Sequence, residues 1–372
     1  PMATQKSSRR GLLKAGLAGG AVGAISSCEP CGGLSGPAIH TGQRVRWRLA
    51  SSFPGSLDTI FGSATHLSET VSAMTEGNFT IEVYEAGELV PGLQVLDAAQ
   101  KGSCEVGHTA GYYYVGKDPA LAFDTCMPFG LSSRQQTAWL YEGGGLELVR
   151  EVYADFSVIS FPCGNTGAQM GGWFRKPMRS AADLKGLKMR IPGLGGRVMD
   201  ALGVNVQSIA GGDISTALER GVIDATDWVG PYDDEMLGFY QVAKIYHYPG
   251  WWEPGPSISF VVNQDAWASL SKSYQAVFEA ASRGAALAMQ AAYDAKNPPA
   301  LKRLVAHGVQ LTRFPEDLMS AAREASQQLL SDQAAADPRS ARILQNWEKF
   351  RSGAFEWFGT AERAYMESMG PG

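Results

Sequence analysis

The segment DATDWVGPYDD, residues 224–234, gathers four carboxylates around a tryptophan and a Gly-Pro-Tyr turn. Asp227 falls at the end of a predicted strand, and Glu253 falls in the aromatic loop YPGWWEPG. Together with the amide oxygen of Gln169, these two carboxylates offer an all-oxygen ligand set. Such hard ligands suit Ca²⁺ or a monovalent hard cation, and they do not suit zinc. The segment is therefore interpreted either as one wall of a cation site or as an ordinary solvated acidic edge.

The other three aspartates of this segment need no chemistry of their own. Asp224 alternates away from the cleft face of its predicted strand. Asp233 and Asp234 fall in the first turn of a helix that is predicted to begin after Pro231, where the helix macrodipole favours acidic side chains. We therefore expect all three to be structural.

Arg190 is the candidate for holding an acid. It ends the predicted strand LKMRI (187–191), just before the glycine-rich turn GLGG (193–196) into a helix. A guanidinium at that place can hold a carboxylate through two parallel hydrogen bonds. The alternative, a surface arginine on a strand edge, is less favoured because its neighbours Met189 and Ile191 are apolar. The glycines do not have the spacing of a dinucleotide-binding fingerprint.

Several functional classes are disfavoured by the composition. The 372 residues carry a net charge of −5 without a basic stripe, which argues against a nucleic-acid partner. The five histidines form neither an HExxH motif nor a close pair, and the sequence contains no Gly-x-Ser-x-Gly elbow. No nucleophile has a plausible base. The residues thus argue weakly against catalysis.

The N-terminus predicts export. The stretch SSRRGLLKAGLAGGAVGAISSC (7–28) has the paired arginines and weakly apolar run of a twin-arginine signal, which predicts a periplasmic protein. Cys28 ends a poor lipoprotein box, so a lipid anchor is not favoured. Of the remaining cysteines, Cys104, Cys126 and Cys163 are expected to be small buried hydrophobic residues, although a Cys104–Cys126 bridge stays open.

The element pattern predicts an α/β fold. Strands and helices alternate from residue 45 onward in two successive β-α-β units, and residues 264–295 and 316–370 are predicted to be helical, with a break at Asp337-Pro338. Ligands of open α/β sheets bind beyond the carboxyl ends of strands. This rule selects the residues that follow the predicted strands: Phe53, Tyr112, Tyr113, Tyr114, Gln169, Arg190, Asp227, Trp228 and the WWE of 251–253.

Long stretches of the chain resemble a known family. From about Arg46 to the C-terminal helices, the sequence is similar to the extracytoplasmic substrate-binding proteins of TRAP transporters (the DctP-type family). The most similar branch binds 2-oxo and 2-hydroxy monocarboxylates with a metal ion. The segments that carry the resemblance are GYYYVGKDPALAF, GNTGAQMGGWFRKP, ADLKGLKMRIPGLGGRVMDALG, IAGGDISTALERGVIDATDWVGPYDD and YPGWWEPG.

The resemblance implies a two-lobed periplasmic-binding-protein fold that closes on its ligand and ends in long helices. We place a signal peptide and linker at 1–42, one lobe at 43–165 plus 255–300, and the other at 166–254 plus 301–372. Arg190 would clamp the substrate carboxylate. The implied metal ligands are Gln169, Asp227, the carbonyl of Trp228, and Glu253, with calcium favoured over sodium. The remaining implied substrate-binding residues are Gln169, Trp228, Tyr112, Tyr113, Phe53 and Asn165.

The implied partners are the small and large membrane subunits of a TRAP permease and a second copy of the chain, joined through the C-terminal helices. An apolar stripe on those helices fits a dimer, or it packs on its own protomer; its members are Ile343, Trp347, Phe350, Phe355 and Phe358. Two other functions stay open. One is a twin-arginine-exported periplasmic oxidoreductase, and the other is a ligand sensor that feeds a signalling partner.

Overall fold

The structure is a computed structural model that describes residues 42–370. The predicted export signal and Cys28 lie outside the described residues. Within the described range, no helix combines the length and apolar character that a membrane span requires. The three described cysteines are all free and buried, which confirms that they are small core residues and rules out the Cys104–Cys126 bridge that was left open.

The first sheet has five strands, in the order β2-β1-β3-β10-β4. Strands β1, β2 and β3 are parallel, whereas β10 runs antiparallel to β3 and to β4. The sequence predicts these strands from their alternating or continuous apolar residues, and the structure confirms them. Their bounds are β1 Val45–Ser51, β2 Phe79–Tyr84, β3 Val106–Thr109, β4 Val158–Asn165 and β10 Ser257–Asn263.

The second sheet has six short strands, in the order β11-β9-β5-β8-β6-β7. Strand β5 is antiparallel to both of its neighbours, and the other pairs are parallel. The strands are β5 Trp173–Phe174, β6 Lys188–Arg190, β7 Asn205–Gln207, β8 Ala225–Thr226, β9 Ile245–Tyr248 and β11 Gln310–Arg313.

Two strands of the second sheet are shorter than their sequences predict. Residues 168–174 and 223–229 each have strand character, yet only Trp173–Phe174 and Ala225–Thr226 are paired. Gly172 explains why the pairing of these two strands stops there, because it has a φ of +81° and a Cβ there would lie 2.4 Å from the Thr226 carbonyl oxygen. The freed backbone on either side of the two strands forms loops that can carry a site.

Thirteen α-helices are described between residues 42 and 370. The first begins at Gly62, after the irregular turn that residues 54–61 form. The helices are α1 Gly62–Met74, α2 Val95–Gln100, α3 Ala122–Thr125, α4 Ser133–Glu142, α5 Gly145–Ala154, α6 Gly193–Ala201, α7 Ile214–Glu219, α8 Pro231–Met236, α9 Gln264–Ser269, α10 Lys272–Ala306, α11 Glu316–Ala336, α12 Pro338–Phe358 and α13 Ala364–Met369.

The C-terminal helices do not all pack where the sequence suggested. Residues 301–372 were expected in the lobe of the second sheet, but α12 packs on α4 and α5, beside the first sheet. The indole N–H of Trp139 donates to Asn346 Oδ1 at 2.8 Å across this contact. In the predicted apolar stripe, Ile343 and Trp347 are therefore buried within their own chain, whereas Phe355 is 40% exposed.

Helix α10 continues past its predicted end. The sequence pattern ends near residue 295, yet the helix extends to Ala306 through Pro298 and Pro299. Proline in a helix interior normally costs about 3 kcal/mol because it removes a hydrogen bond and crowds the preceding turn. Ala300 and Leu304 beyond the prolines are completely buried. We infer that core contacts hold this last part of α10.

A substitution at Leu304 tests this inference. Leu304→Ala should lower the free energy of unfolding by about 2–5 kcal/mol, since it opens a cavity in the core. Leu287 lies on the same helix but is 74% exposed, so Leu287→Ala should change stability by less than about 0.5 kcal/mol. Urea unfolding followed by circular dichroism measures both. Equal effects of the two substitutions would contradict the packing of the segment beyond the prolines.

Candidate functional site

Two neighbouring strand ends bring Arg190 and Asp227 together, as predicted. Strands β6 and β8 are parallel, and the Asp227 N–H donates to the Arg190 carbonyl at 3.0 Å. The Arg190 guanidinium donates to the Asp227 carbonyl at 2.8 Å and to the Ile209 carbonyl at 3.2 Å, and it lies 3.7 Å from Asp227 Oδ2. Its Cζ lies 5.3 Å from the ring centroid of Trp228. The guanidinium is thereby fixed in a buried position.

The aromatic loop 248–255 folds back on Gln169. The Gln169 N–H donates to the Glu253 carbonyl at 3.1 Å, and the Gly250 N–H donates to the Gln169 carbonyl at 3.0 Å. A Cβ at Gly250 would lie 2.6 Å from that carbonyl oxygen, so the close approach requires glycine. The side-chain N–H of Gln169 donates to Thr166 Oγ1 at 3.2 Å. Backbone bonds thus place Gln169 and Glu253 side by side.

Trp252 was selected from the sequence only as part of the WWE motif, and its contact with Asp227 was not predicted. Its indole N–H donates to Asp227 Oδ1 at 3.0 Å and holds that carboxylate in place. A Cβ at Gly195 would lie 2.7 Å from Trp252 Cβ, which shows how closely α6 packs on the loop. The motif WWE was selected from the sequence as a whole, but nothing in the spacing indicated which indole would contact the aspartate.

The carboxylates of Asp227 and Glu253 are both buried and close enough to interact. Burial raises the pKa of Asp227 to about 7, against the opposing effects of Arg190 and the Trp252 hydrogen bond. Burial also raises the pKa of Glu253 well above its ordinary value, the charge of Asp227 raises it further, and Arg190 opposes this. One guanidinium therefore faces two carboxylates in a region without water access.

Aromatic side chains cover this charged cluster from the side of the first sheet. Tyr112 and Tyr113 lie in the 3₁₀ turn Gly111–Tyr114 that follows β3, with their rings in edge contact at 4.9 Å. Phe53, which follows β1, lies 6.3 Å from Tyr113 between ring centroids. The Tyr112 hydroxyl donates to Glu253 Oε2 at 3.4 Å. The predicted aromatic lining is therefore in contact with the acidic wall.

The aromatic side chains of the first-sheet side pack directly on the second-sheet side that carries the charged cluster, so the cleft between them is closed. A Cβ at Gly193 would lie 2.9 Å from Tyr112 Cβ, and Arg197 of α6 donates to the Val115 carbonyl at 2.7 Å. Apart from the half-buried Tyr113, every residue predicted for the site is at most 7% exposed. A cavity of about 380 Å³ opens beside them, lined by Tyr112, Tyr113, Ile191, Gly193 and Arg197 among others.

Asn165 has a different environment from the other predicted site residues. Its side-chain N–H donates to the Gly255 carbonyl at 2.9 Å, and its oxygen accepts from the Gly167 N–H at 2.9 Å. Both ends of the amide are thus engaged by backbone where the chain crosses between the sheets. In this closed arrangement Asn165 ties the crossing segments together.

The donor atoms fit a hard cation. Asp227 Oδ2 and Gln169 Oε1 are buried and lack a hydrogen-bond partner, which is costly unless another ligand satisfies them. Both are oxygen atoms of the kind that calcium and sodium prefer. Between residues 42 and 370, no group of three or more His, Cys, Asp or Glu could hold a metal, so nothing there resembles a zinc centre.

The other aspartates of the opening segment are indeed structural in their contacts. The Asp224 carboxylate accepts from the Lys188 N–H at 3.2 Å, away from Asp227. Asp233 and Asp234 lie in the first turn of α8 as predicted, but both are completely buried and hydrogen-bonded to side chains. The helix macrodipole alone does not account for them.

Comparison with known proteins gives a consistent result. The profile of the family "bacterial extracellular solute-binding protein, family 7" matches residues 50–337. A protein of Nostoc sp. PCC 7120, described as a monocarboxylate 2-oxoacid-binding periplasmic protein, is 50% identical over 358 residues. That alignment covers 96% of this chain and 97% of the Nostoc protein.

Two solved structures are similar over nearly their whole length. A TRAP transporter solute-binding protein from Bordetella bronchiseptica, described as a mixed-occupancy dimer with copurified calcium and picolinate, has a TM-score of 0.87 and 47% identity. The match covers 88% of this chain and 97% of that one. A protein from Pseudoalteromonas atlantica with bound sodium and pyruvate has a TM-score of 0.85 and 40% identity, with coverages of 88% and 99%.

A calcium titration tests the donor set directly. Calcium at about 100 times its Kd should add about 2.7 kcal/mol to the stability of the wild type, because it binds only the folded protein. Asp227→Asn should abolish most of this gain, since it removes a charged ligand. Asp224→Asn is the matched control and should keep the full gain. Differential scanning calorimetry in sodium-free buffer measures it, and equal gains in both variants would contradict the assignment.

Proposed function

The chain belongs to family 7 of the bacterial extracellular solute-binding proteins, and on that premise we propose that it captures a small 2-oxo or 2-hydroxy monocarboxylate together with a cation. It would deliver the acid to a TRAP permease made of a small and a large membrane subunit. The observation that carries this proposal is the charge of the closed site, in which Asp227 and Glu253 share one arginine.

Charge balance favours a cation in this site. Once both carboxylates are ionised, which burial opposes by raising their pKa values, they and an incoming acid carry three negative charges against the single positive charge of Arg190. In a buried region of low dielectric constant such an excess is strongly unfavourable. A divalent cation brings the sum to zero, whereas a monovalent cation leaves one negative charge. The proposal therefore favours calcium, with sodium as the alternative.

The need for a cation also explains the substrate class. A carboxylate with an oxygen on the adjacent carbon can chelate a cation in a five-membered ring. Pyruvate, which the Pseudoalteromonas relative binds, has this geometry. Picolinate, bound by the Bordetella relative, offers a ring nitrogen and a carboxylate in the same relative position. Chemically different ligands thus share the one feature that a cation can recognise.

Each residue has a definite role in this proposal. Arg190 holds the carboxylate of the acid, while Gln169, Asp227, the Trp228 carbonyl and Glu253 hold the cation. Trp252 orients Asp227 through its indole N–H. The rings of Tyr112, Tyr113, Phe53 and Trp228 exclude water, and Asn165 fixes the crossing segments.

The division of the chain into lobes is part of the same proposal. The first sheet takes its strands from residues 45–165 and 257–263, and the second from residues 173–248 and 310–313. This strand membership supports lobes at 43–165 plus 255–300 and at 166–254 plus 301–337, with α12 assigned to the first. A cleft between them closes around the acid.

We also propose that residues 1–42 contain a twin-arginine signal, which directs export of the protein to the periplasm. The family acts in solute binding, and the proposal includes no catalysis by this chain. An exported oxidoreductase would require a chromophoric cofactor, so the absorbance spectrum of the purified protein distinguishes that alternative. A sensor would bind the same acid but pass its signal to a receptor, and the neighbouring genes would distinguish it.

Calorimetry with pyruvate and propionate tests the proposed function. Wild-type protein with calcium should bind pyruvate and should bind propionate at least about 100-fold more weakly, because propionate lacks the second chelating oxygen. Arg190→Met should weaken pyruvate binding by about 3 kcal/mol or more, since a buried carboxylate loses its partner. Exhaustive chelation in sodium-free buffer should remove pyruvate binding.

The control for this experiment is Arg175→Met. Arg175 directly follows strand β5 of the second sheet but donates to the Leu218 carbonyl, away from the site. Its removal should leave pyruvate affinity unchanged. Pyruvate binding that survives both chelation and Arg190→Met would overturn the proposal and leave the acidic segment as a structural feature.

A homodimer through the C-terminal helices is also proposed. The buried positions of Ile343 and Trp347 restrict any interface to the end of the predicted stripe. There the exposed apolar side chains are Phe355, Trp357, Tyr365, Met366 and Met369. Four of these are more than 60% exposed, which is unusual for such large apolar groups on one short stretch. The Bordetella relative is described as a dimer.

Light scattering tests the dimer. Protein spanning residues 43–372 should scatter as a dimer at micromolar concentration, and Trp357→Glu should convert it to a monomer by placing a charge in the interface. A monomeric wild type would exclude the interface. Pyruvate affinity measured on the monomeric variant then shows whether dimerisation affects the site.

A further inference from the structure

Helix α8 carries two adjacent aspartates that bind different parts of the fold. Asp234 faces the second sheet, where its Oδ2 accepts from the Trp173 indole N–H at 2.8 Å and from the Tyr246 hydroxyl at 2.6 Å. Its Oδ1 accepts from the N–H groups of Val229 and Gly230, each at 3.2 Å. These bonds fix the start of α8 to the strand ends that carry the site.

Asp233 faces the other way. Its Oδ2 accepts from the Tyr293 hydroxyl of α10 at 2.7 Å, and its Oδ1 accepts from the Thr59 hydroxyl. Thr59 lies in the irregular segment 52–61 that follows β1 of the first sheet, and this segment also contains the site residue Phe53. The side chain of Asp233 therefore connects the acidic segment 224–234 to the opposite side of the cleft.

The connection is buried throughout. Thr59, Asp233 and Tyr293 are each at most 1% exposed. Burial raises the pKa of Asp233 to about 6, and the hydrogen bonds from Thr59 and Tyr293 oppose that rise. The indole N–H of Trp228 also lies near this carboxylate without meeting hydrogen-bond geometry. Hydrogen bonds to a charged acceptor in such surroundings are among the strong ones.

An outer layer of polar contacts surrounds the buried one. The Tyr232 hydroxyl donates to Asp58 Oδ1 at 2.9 Å, and Lys296 pairs with Asp58 Oδ2 at 2.5 Å. The Asp58 side chain is 61% exposed, and exposed ion pairs contribute little because water screens them. The energetic weight of this junction therefore lies in the buried bonds that Asp233 accepts from Thr59 and Tyr293, and the bond from Thr59 is the one that reaches the segment of Phe53.

We propose that the hydrogen bond between Thr59 and Asp233 is a closure latch, which favours the closed cleft without contacting the acid or the cation. Phe53 and Thr59 belong to the same segment on one side of the cleft, and Trp228 and Asp233 belong to the same segment on the other. A movement that carries the segment of Phe53 away from the segment of Trp228 would therefore also break the bond between Thr59 and Asp233. The latch rests on the proposed function for its role in ligand retention.

The latch predicts a specific kinetic effect. Thr59→Val has nearly the same shape but lacks the hydroxyl, so it should increase the dissociation rate of pyruvate from the calcium-loaded protein about tenfold. The association rate should not fall, because the open form that admits the acid is intact. Thr59→Ser keeps the hydroxyl and should restore slow dissociation. Stopped-flow tryptophan fluorescence measures both rates, and Thr59→Ala gives a second variant should Thr59→Val not fold.

Thr75→Val is the matched control. Thr75 is also completely buried, and its hydroxyl donates to the Val71 carbonyl at 2.7 Å within the first-sheet side alone. Its loss should lower the Tm of the protein while leaving the dissociation rate of pyruvate unchanged. If Thr59→Val and Thr75→Val behaved alike in the dissociation rate, Thr59 would be an ordinary stabilising residue and the latch would be excluded.

A ligand-free measurement separates the latch from the proposed function. Fluorophores on cysteines introduced at the exposed positions Glu88 and Lys185, one on each side of the cleft, report the closed fraction by single-molecule energy transfer. Thr59→Val should lower this fraction about tenfold without any ligand. Unchanged fractions would overturn the latch. A wild type that binds no acid, with a closed fraction that still depends on Thr59, would overturn only the proposed function.

Discussion

Two carboxylates that share one guanidinium in a closed interior form the constraint on which this structure depends. Asp227 and Glu253 are both almost fully buried, and their raised pKa values express the cost of charging them there. Several neighbouring groups lower this cost. Trp252 and Tyr112 donate to the carboxylates, Arg190 is held in place by backbone carbonyls, and unpartnered oxygens are left where a cation fits.

The fold meets this constraint by bringing backbone segments unusually close together. Glycines at 172, 193, 195 and 250 lie where a Cβ would be within 3 Å of another segment. These contacts join the strand ends of the second sheet to the aromatic loop and to the tyrosine turn of the first sheet. Of the four, Gly193 packs on Tyr112 of the first-sheet side, so a larger residue there would hold the two sides apart and expose the charges to water, where the selectivity of a dry site would be lost.

Sequence reasoning recovered the elements that local patterns specify. The run LKMRI (187–191) predicted β6 to within one residue at each end, and the break at Asp337-Pro338 separates α11 from α12 as predicted. The rule that ligands bind beyond strand ends correctly placed Arg190 beside Asp227. The family resemblance was needed to combine them with Gln169 and Glu253 into one proposed site.

The features that the sequence did not predict depend on contacts between distant residues. The continuation of α10 through Pro298 and Pro299 contradicts local propensity and is held by core packing. The bond from Trp252 to Asp227 spans 25 residues, and that from Thr59 to Asp233 spans 174. Two adjacent aspartates with opposite orientations look identical in a sequence. Their difference exists only once both sheets are assembled.

The near-complete burial of the site has a consequence for timing. Because the site side chains, apart from Tyr113, are at most 7% exposed, we expect a bound acid to leave mainly after the cleft opens. Its residence time is then set by how often the protein opens and not by the strength of any one contact with the acid. A carrier of this kind both retains its ligand and sets, through its opening rate, how long the ligand stays bound. It can diffuse far before its first opening, and a membrane partner that prefers the open form would set the moment of release.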